Sequence, residues 1–473
     1  MANDRIEVDV SQVVTEVDRR VIGINIDYLV DHDSNRDPGA RPLEEALKEM
    51  GVRSLRFPGG DKSDNHLWSV PPFERPQPAL ACGPRQGREV ELQSADGEWT
   101  VRRLDFDEFM ELCKRIDAEP TVVTCYDALF TPGCTVTKER LLETAVAWVD
   151  YANVKKKYGV KYWEIGNEAY IDPTISVHDY ARDFIEFAKA MKKVDPSIWV
   201  GANGPPRAEG TGRGEANEGV LWWKVLYEAA AEHIDFVPIH VYSCWKWGTY
   251  EHYRDHGPGY PEAHRDAISP LEAARKWGPP GFADRLRLTV TELNAADWSE
   301  GGWPKVNDLG HGLVAFDIFG TLLEIEQIDM AQIWNTRWVS HSPDQPSLWD
   351  AVDDDNQLQP TGTQLAIWSQ FLKDRMVHIE EPERMRTFAS YSPDSGALSL
   401  FLINKDAAAR EVTVALKGYQ APSAQRWLWH GQGPEDYKPT WSGPESLPVD
   451  GDEIGLTLPA DSLTVLDLSK RGS

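Results

Sequence analysis

Long apolar stretches are missing: no run reaches the roughly 18 residues that would suggest a membrane helix. The opening Met1-Ala-Asn-Asp-Arg-Ile has no basic segment leading into an apolar one. Neither a membrane span nor a visible secretion signal is expected, and the chain reads as cytoplasmic unless a signal peptide has been removed. Cysteine is scarce. Cys82, Cys113, Cys125, Cys134 and Cys244 form an odd set without a C-x-x-C pair, so neither a disulfide framework nor a zinc ribbon is expected and reduced thiols fit best. Basic charge is in deficit, with 49 Lys and Arg against 76 Asp and Glu for a formal net charge of −27. Such a surface repels nucleic acid, anionic polysaccharide and acidic membranes. No G-x-G-x-x-G or G-x-x-x-x-G-K-[ST] loop follows a strand, which argues against a doubly wound nucleotide-binding sheet.

What is present is an ordinary globular composition, 41% hydrophobic and 26% charged over 473 residues, enough for two or three domains. Tryptophan is abundant at 19; its flat apolar face with one donor suits both cores and the C–H face of a sugar. Eight strand-like runs occur in order: Val21–Tyr28, Val52–Pro58, Pro120–Tyr126, Val160–Gly166, Ser197–Gly201, Ile234–Tyr242, Leu286–Glu292 and Asp329–Asn335. Helical periodicity separates many of them. In Asp105–Ile116, Phe106, Phe109, Met110, Cys113 and Ile116 share a face behind an Asp105/Glu108 capping box, and Ser176–Val194 starts at a Ser176 cap and ends before Pro196. This alternation predicts an α/β fold, a (β/α)₈ barrel over residues 17–376. The Gly- and Pro-rich inserts Ser69–Arg102, Arg207–Gly219 and Trp245–Gly281 are expected as rim loops. Beyond residue 376, Ala397–Ile403, Glu411–Leu416 and Ser462–Leu468 alternate without helical periodicity. They predict a β-sandwich of residues 377–473, to which the alternating stretch Ile6–Val10 assigns residues 1–16.

Barrel function sits at the C-terminal ends of the strands. The fourth run leads into Trp163-Glu164-Ile165-Gly166-Asn167-Glu168 and the seventh into Val290-Thr291-Glu292-Leu293-Asn294, so two carboxylates can meet across the barrel mouth. Glycoside hydrolysis needs two, an acid for the leaving oxygen and a nucleophile or base on the other face of the sugar. Gly-Asn-Glu alone also reads as a turn with a solvated acid. A second strand-end acid is harder to explain as packing, because an unpaired buried carboxylate is costly. His240 and Tyr242 end the sixth run, and alternation aims both to one side, within reach of Glu292 or of a sugar. Asp27 ends the first run and Arg56 and Asp61 the second; Arg56 either lowers the pKa of neighbouring acids or fixes an orientation. Trp298 and Asn335 complete the candidate substrate-binding set. Asp353-Asp354-Asp355-Asn356 lacks the spacing of a calcium loop, His252 and His256 sit in a Pro- and Gly-rich stretch unsuited to a helical metal pair, and Cys244 lacks an activating pattern. No metal site and no cofactor are expected.

At these residues the chain resembles a clan A glycoside hydrolase, most closely family 51, known for α-L-arabinofuranosidases. The resemblance rests on Arg56-Phe57-Pro58-Gly59-Gly60, Glu74-Arg75-Pro76, Asp107-Glu108-Phe109-Met110, the segment from Tyr158 to Glu168, Ala190 to Ile198, and His240-Val241-Tyr242. It implies Glu168 as general acid/base, Glu292 as nucleophile, Asn167 on the sugar 2-hydroxyl, His240 and Tyr242 in the pocket, a retaining mechanism and often a homo-oligomer. Three positions depart from the family pattern. Asp27 stands where the family usually has a sugar-binding Glu, Asp61 where Asn usually follows Pro-Gly-Gly, and Thr-Glu-Leu-Asn surrounds the nucleophile in place of Asp-Glu-Trp-Asn.

The resulting expectation is a retaining, exo-acting α-L-arabinofuranosidase on plant oligosaccharide or polysaccharide, with Glu168 raised in pKa and Glu292 ionised. A β-glucanase or xylanase cutting internally keeps the chemistry and would use Trp245, Trp247, Trp298, Trp303 or Trp338 as platforms. A non-catalytic glycan-binding protein is the alternative from another class, and a barrel isomerase or lyase on a phosphorylated metabolite a more distant one.

Overall fold

The computed structural model describes residues 4–242, 244, 246–256, 261–338 and 346–469. Eight parallel strands close into a barrel in chain order: Ile22–Asn25, Ser54–Phe57, Glu119–Thr124, Tyr162–Ile165, Trp199–Ala202, Phe236–Val241, Arg287–Leu293 and Ile328–Ile333. Every predicted run overlaps one of them, four enclosing the strand whole and four missing it by one residue at one end. Buried on both faces, they read as continuous apolar segments. Tyr162, Phe236 and Met330 plug the N-terminal end of the barrel with an apolar cluster, whereas Arg56 and Glu164 make the interior polar nearer the mouth.

Local signals place the helices that carry the mouth. Phe106–Ile116 starts at Asp105, whose side chain accepts from the Glu108 N–H while the Glu108 carboxylate accepts from the Asp105 N–H. Val177–Val194 is capped by Ser176 and buries Tyr180, Phe184, Phe187, Ala188 and Met191. The Tyr180 hydroxyl donates to the Ile165 carbonyl at 2.9 Å, tying this helix to the end of the fourth strand.

Apart from the two-stranded ribbon His66–Leu67 with Ala79–Leu80, the remaining strands form one nine-stranded sheet. Asp4–Glu16 lies inside it, antiparallel to Arg375–Ile379 and parallel to Arg410–Lys417. Ile6, Val8, Leu400, Val414, Ile454 and Leu466 share a buried cluster, so the sheet curls over its own core. Leu309–Leu323 is buried on every side; packing on both the barrel and the sheet removes the need for a polar face. Asp317 on this helix accepts from Arg386 of the sheet at 2.7 Å and from the Tyr253 hydroxyl at 2.8 Å, a buried ionic tie between the two layers.

Two expectations need correction. The insert Trp245–Gly281, expected as a rim loop, contains the helices Tyr250–Asp255 and Pro261–Trp277. Proline is tolerated in the first helical turn, and Ala263, Ala267, Leu271 and Ala274 supply a buried face that outweighs Pro270 within the helix. The cysteines are not all reduced: Cys82 and Cys134 form a disulfide, while Cys113, Cys125 and Cys244 are buried outside that bond. The bonded pair is 52 residues apart in sequence, a separation that no short motif announces.

Closing a loop of that length restricts the unfolded chain, a contribution of roughly 2–4 kcal/mol. The Cys82→Ser/Cys134→Ser double variant should unfold at lower urea concentration than the parent by that margin, and dithiothreitol should shift only the parent. Equal midpoints with and without reductant would contradict the pairing.

Candidate active site

A cavity of about 840 Å³ opens at the C-terminal end of the barrel. Glu168, Asn167, His240, Tyr242, Glu292, Asp61 and Trp298, all marked in the sequence, line it. Its centre is built on Arg56. This side chain is fully buried, and all five N–H groups are spent: Nε and Nη2 on Glu164 at 3.1 and 2.8 Å, Nη1 on Glu292 Oε1 at 3.0 Å and Asn25 Oδ1 at 3.2 Å, and Nη2 also on Asn167 Oδ1 at 2.8 Å. Arg56 therefore fixes Glu292 and Asn167 from behind.

The backbone brings these groups together because two glycines allow it. Gly60 has φ +39°, and a Cβ there would lie 2.5 Å from Glu292 Oε1 and 2.3 Å from the Trp334 ring. Gly166 has φ +71°, and a Cβ would meet Asp127 Oδ2 at 2.6 Å. That same oxygen accepts from the Asn167 N–H at 3.0 Å, while Asn203 Oδ1 accepts from the Ala169 N–H at 3.1 Å, so Glu168 sits between two anchored residues.

His240 is the register partner of Glu292 on adjacent strands. Its Nδ1 lies 2.7 Å from Glu168 Oε1 and 3.5 Å from Glu292 Oε2. The Tyr242 hydroxyl donates to Glu292 Oε2 at 2.9 Å. Side-chain ligand atoms of Glu168, His240 and Glu292 all lie within 4.8 Å of one another, the one grouping among the described residues that could hold a metal ion. Here His240 bonds Glu168 and lies 3.5 Å from Glu292.

The electrostatics reverse one expectation. Burial works to raise the Glu168 carboxyl, but the charge of His240 and hydrogen bonds from His240 and Tyr170 outweigh it and hold Glu168 below its ordinary range. Glu292 is instead raised by burial, assisted by the Glu168 charge, against the pull of His240 and Arg56. His240 is raised despite its burial, because both carboxylates favour the imidazolium. The direction for Glu168 is thus opposite to the raised acid expected from sequence.

Three candidate substrate contacts sit behind the wall. Arg56 is one. Asp27 is completely buried, with Oδ2 3.2 Å from Lys62 Nζ, and Lys62 in turn lies over the rings of Trp334 and Trp338 at 4.5 and 3.5 Å. Asn335 is also fully buried. Asp61 does reach the cavity, but it is ion-paired with Arg88 from the 69–102 insert. At the mouth, Trp298 is 48% exposed and stacks on Trp349 at 5.3 Å, with the Tyr242 ring edge-on to both. Trp338 lines the cavity, Trp247 and Trp303 are buried in packing, and Trp245 lies outside the described residues. Sequence reasoning missed Tyr170, Asp64, Asp127, Arg88 and Arg213, all of which line the cavity. Tyr170 is two residues after Glu168, Asp127 follows the third predicted run and Asp64 is three residues after Asp61, whereas Arg88 and Arg213 lie in the inserts.

Buried acids make stability depend on pH. Burial pushes Asp27 and Asp127 up to about 6 and Glu324 and Asp350 up to about 7. Between about pH 4 and 7 the folded chain therefore holds more protons than the unfolded one at these groups, and their contribution to stability is lost as pH rises. Burial also pushes His66 down to about 3, which works in the opposite direction, one group against four. Melting temperature should be higher at about pH 5.5 than at about pH 8; a steady rise across that interval would contradict these assignments.

Residues 46–257 match the family model for the α-L-arabinofuranosidase 1 domain. The chain is 30% identical over 182 residues to α-L-arabinofuranosidase C of Emericella nidulans, covering 34% of this chain and 32% of that protein. It is 24% identical over 273 residues to an intracellular exo-α-(1→5)-L-arabinofuranosidase of Acetivibrio thermocellus, covering 51% and 48%. The chain thus spans about a third to a half of the length of these curated relatives. Across nearly its whole length it superimposes on the GH51 α-L-arabinofuranosidase of Thermotoga petrophila with a TM-score of 0.73, 19% identity and coverage of 98% and 100%. No helix among the described residues is long and apolar enough to cross a membrane. Residues 46–257 are thus similar to an α-L-arabinofuranosidase domain, and the chain as a whole shares the fold of a solved GH51 α-L-arabinofuranosidase.

Proposed function

We propose that the chain is a retaining, exo-acting α-L-arabinofuranosidase acting on plant-derived arabinose-containing glycans, with Glu292 as nucleophile and Glu168 as general acid/base. The observation that carries this is the placement of Glu168, His240 and Glu292 within 4.8 Å of one another in a pocket. Carboxyl groups about 5–5.5 Å apart suit direct attack, whereas inversion needs about 6.5–9.5 Å to admit a water. The match of residues 46–257 supports the sugar.

In this reading Glu292 attacks the anomeric carbon while Glu168 protonates the departing oxygen, leaving a glycosyl ester on Glu292. Water, deprotonated by Glu168, then attacks the same carbon and releases Glu292. His240, at 2.7 Å, is the nearest donor to Glu168 and holds its Oε1. Once Glu292 is esterified its negative charge is gone, which lowers the proton affinity of its neighbours and suits Glu168 to act as a base. Asn167, with Oδ1 held by Arg56, is oriented to offer its amide N–H to the sugar 2-hydroxyl. A cytoplasmic location and a homo-oligomer remain part of the proposal.

Turnover of aryl α-L-arabinofuranoside, β-D-xyloside, β-D-glucoside and β-D-glucuronide tests it. The arabinofuranoside alone should be cleaved, and Glu292→Ala should lose at least about a thousandfold in kcat. Glu168→Ala should lose about 10²–10⁴-fold on poor leaving groups and far less on nitrophenyl glycosides. Preference for another glycoside would overturn the sugar assignment, and full activity of Glu292→Ala would overturn the mechanism.

A further inference from the structure

Tyr170 is only 8% exposed and lines the pocket, and its hydroxyl donates to Glu168 Oε1 at 3.2 Å. The same oxygen is bonded by His240 Nδ1 at 2.7 Å. Among the described residues nothing bonds Glu168 Oε2. One oxygen of the acid is thus held by two donors from different elements, and the other is left toward the cavity. The Tyr170 ring is itself fixed, edge-on to Trp222 at 6.3 Å, while its carbonyl accepts from the Arg213 N–H at 2.8 Å. Its position follows from chain geometry: the Glu168–Ile171 turn closes with the Ile171 N–H on the Glu168 carbonyl at 2.8 Å and folds the tyrosine back over the acid.

We infer that Tyr170 is a positioning residue for the acid/base: with His240 it clamps Glu168 Oε1, so that Oε2 is the oxygen that exchanges the proton with the glycosidic oxygen. The inference rests on the reading of Glu168 as acid/base. Donation from the hydroxyl favours the ionised carboxylate, so Tyr170 also makes Glu168 the stronger acid. The other ionisable groups around Glu168 are His240, Glu292, Asp61, Asp64 and Asp127, with Arg213 beside Tyr170. None of them donates to Oε1 except His240, so loss of the Tyr170 hydroxyl leaves Oε1 with a single donor.

The test compares parent, Tyr170→Phe and Glu168→Ala on a series of aryl α-L-arabinofuranosides with graded leaving groups, each over a full pH profile. Tyr170→Phe removes one oxygen, and an unchanged melting curve verifies its fold. Its kcat/KM on the poorest leaving groups should fall about tenfold, its activity on nitrophenyl substrates should change less than about threefold, and the alkaline limb of kcat/KM should move to higher pH. A profile and leaving-group dependence superimposable on the parent would overturn the clamp while Glu168→Ala still discriminates among leaving groups. If Glu168→Ala itself shows no such discrimination, the acid/base reading fails instead.

Discussion

The guanidinium of Arg56 is wholly out of water, and a charge in that position must be neutralised and fully hydrogen-bonded to be tolerated. Glu164 does so bidentately, but the fork still presents N–H groups toward the mouth of the barrel, and these reach Glu292 and Asn167. The arrangement of the active centre follows from that demand. One face of Glu292 is fixed by Arg56, the other by Tyr242, and His240 fills the gap to Glu168. Because removing one partner strands the others in a dry site, these residues form a unit whose contributions will not add.

Much of this could be read from the chain alone where the signal was local. Each barrel strand is short, apolar and buried on both faces, the capping box at Asp105 forms as written, and the two strand-end glutamates meet. Gly60 and Gly166 show why the motifs around them carry glycine: a side chain would strike Glu292 or Asp127. What stayed hidden depends on contacts far apart in sequence. The Cys82–Cys134 bond joins the 69–102 insert to the loop that follows the third barrel strand. The helices Tyr250–Asp255 and Pro261–Trp277 form although the second contains two prolines, because packing buries one of its faces. The opposite shifts of the two glutamates depend on His240, which lies beside both.

The departures from the family pattern now have a physical reading. Asp27 is too short and too buried to touch a ligand, and Lys62 neutralises it beneath Trp334 and Trp338. Asp61 carries charge into the pocket together with the cation that balances it, Arg88. Burial works to raise Asp61, yet Lys62 and Arg88 hold it below its ordinary range. The deep end of the site is therefore a set of paired charges under an aromatic floor. The mouth is formed by the exposed Trp298 on Trp349.

The central claim is that Glu292, held by Arg56 and Tyr242, forms the covalent bond to the sugar. The direct measurement is mass spectrometry of the protein after incubation with a 2-deoxy-2-fluoro-α-L-arabinofuranosyl fluoride, followed by peptide mapping. The account predicts one added glycosyl mass per chain, located on the peptide that contains Glu292 and absent in Glu292→Gln. Labelling of Glu168, or turnover without any covalent adduct, would contradict it.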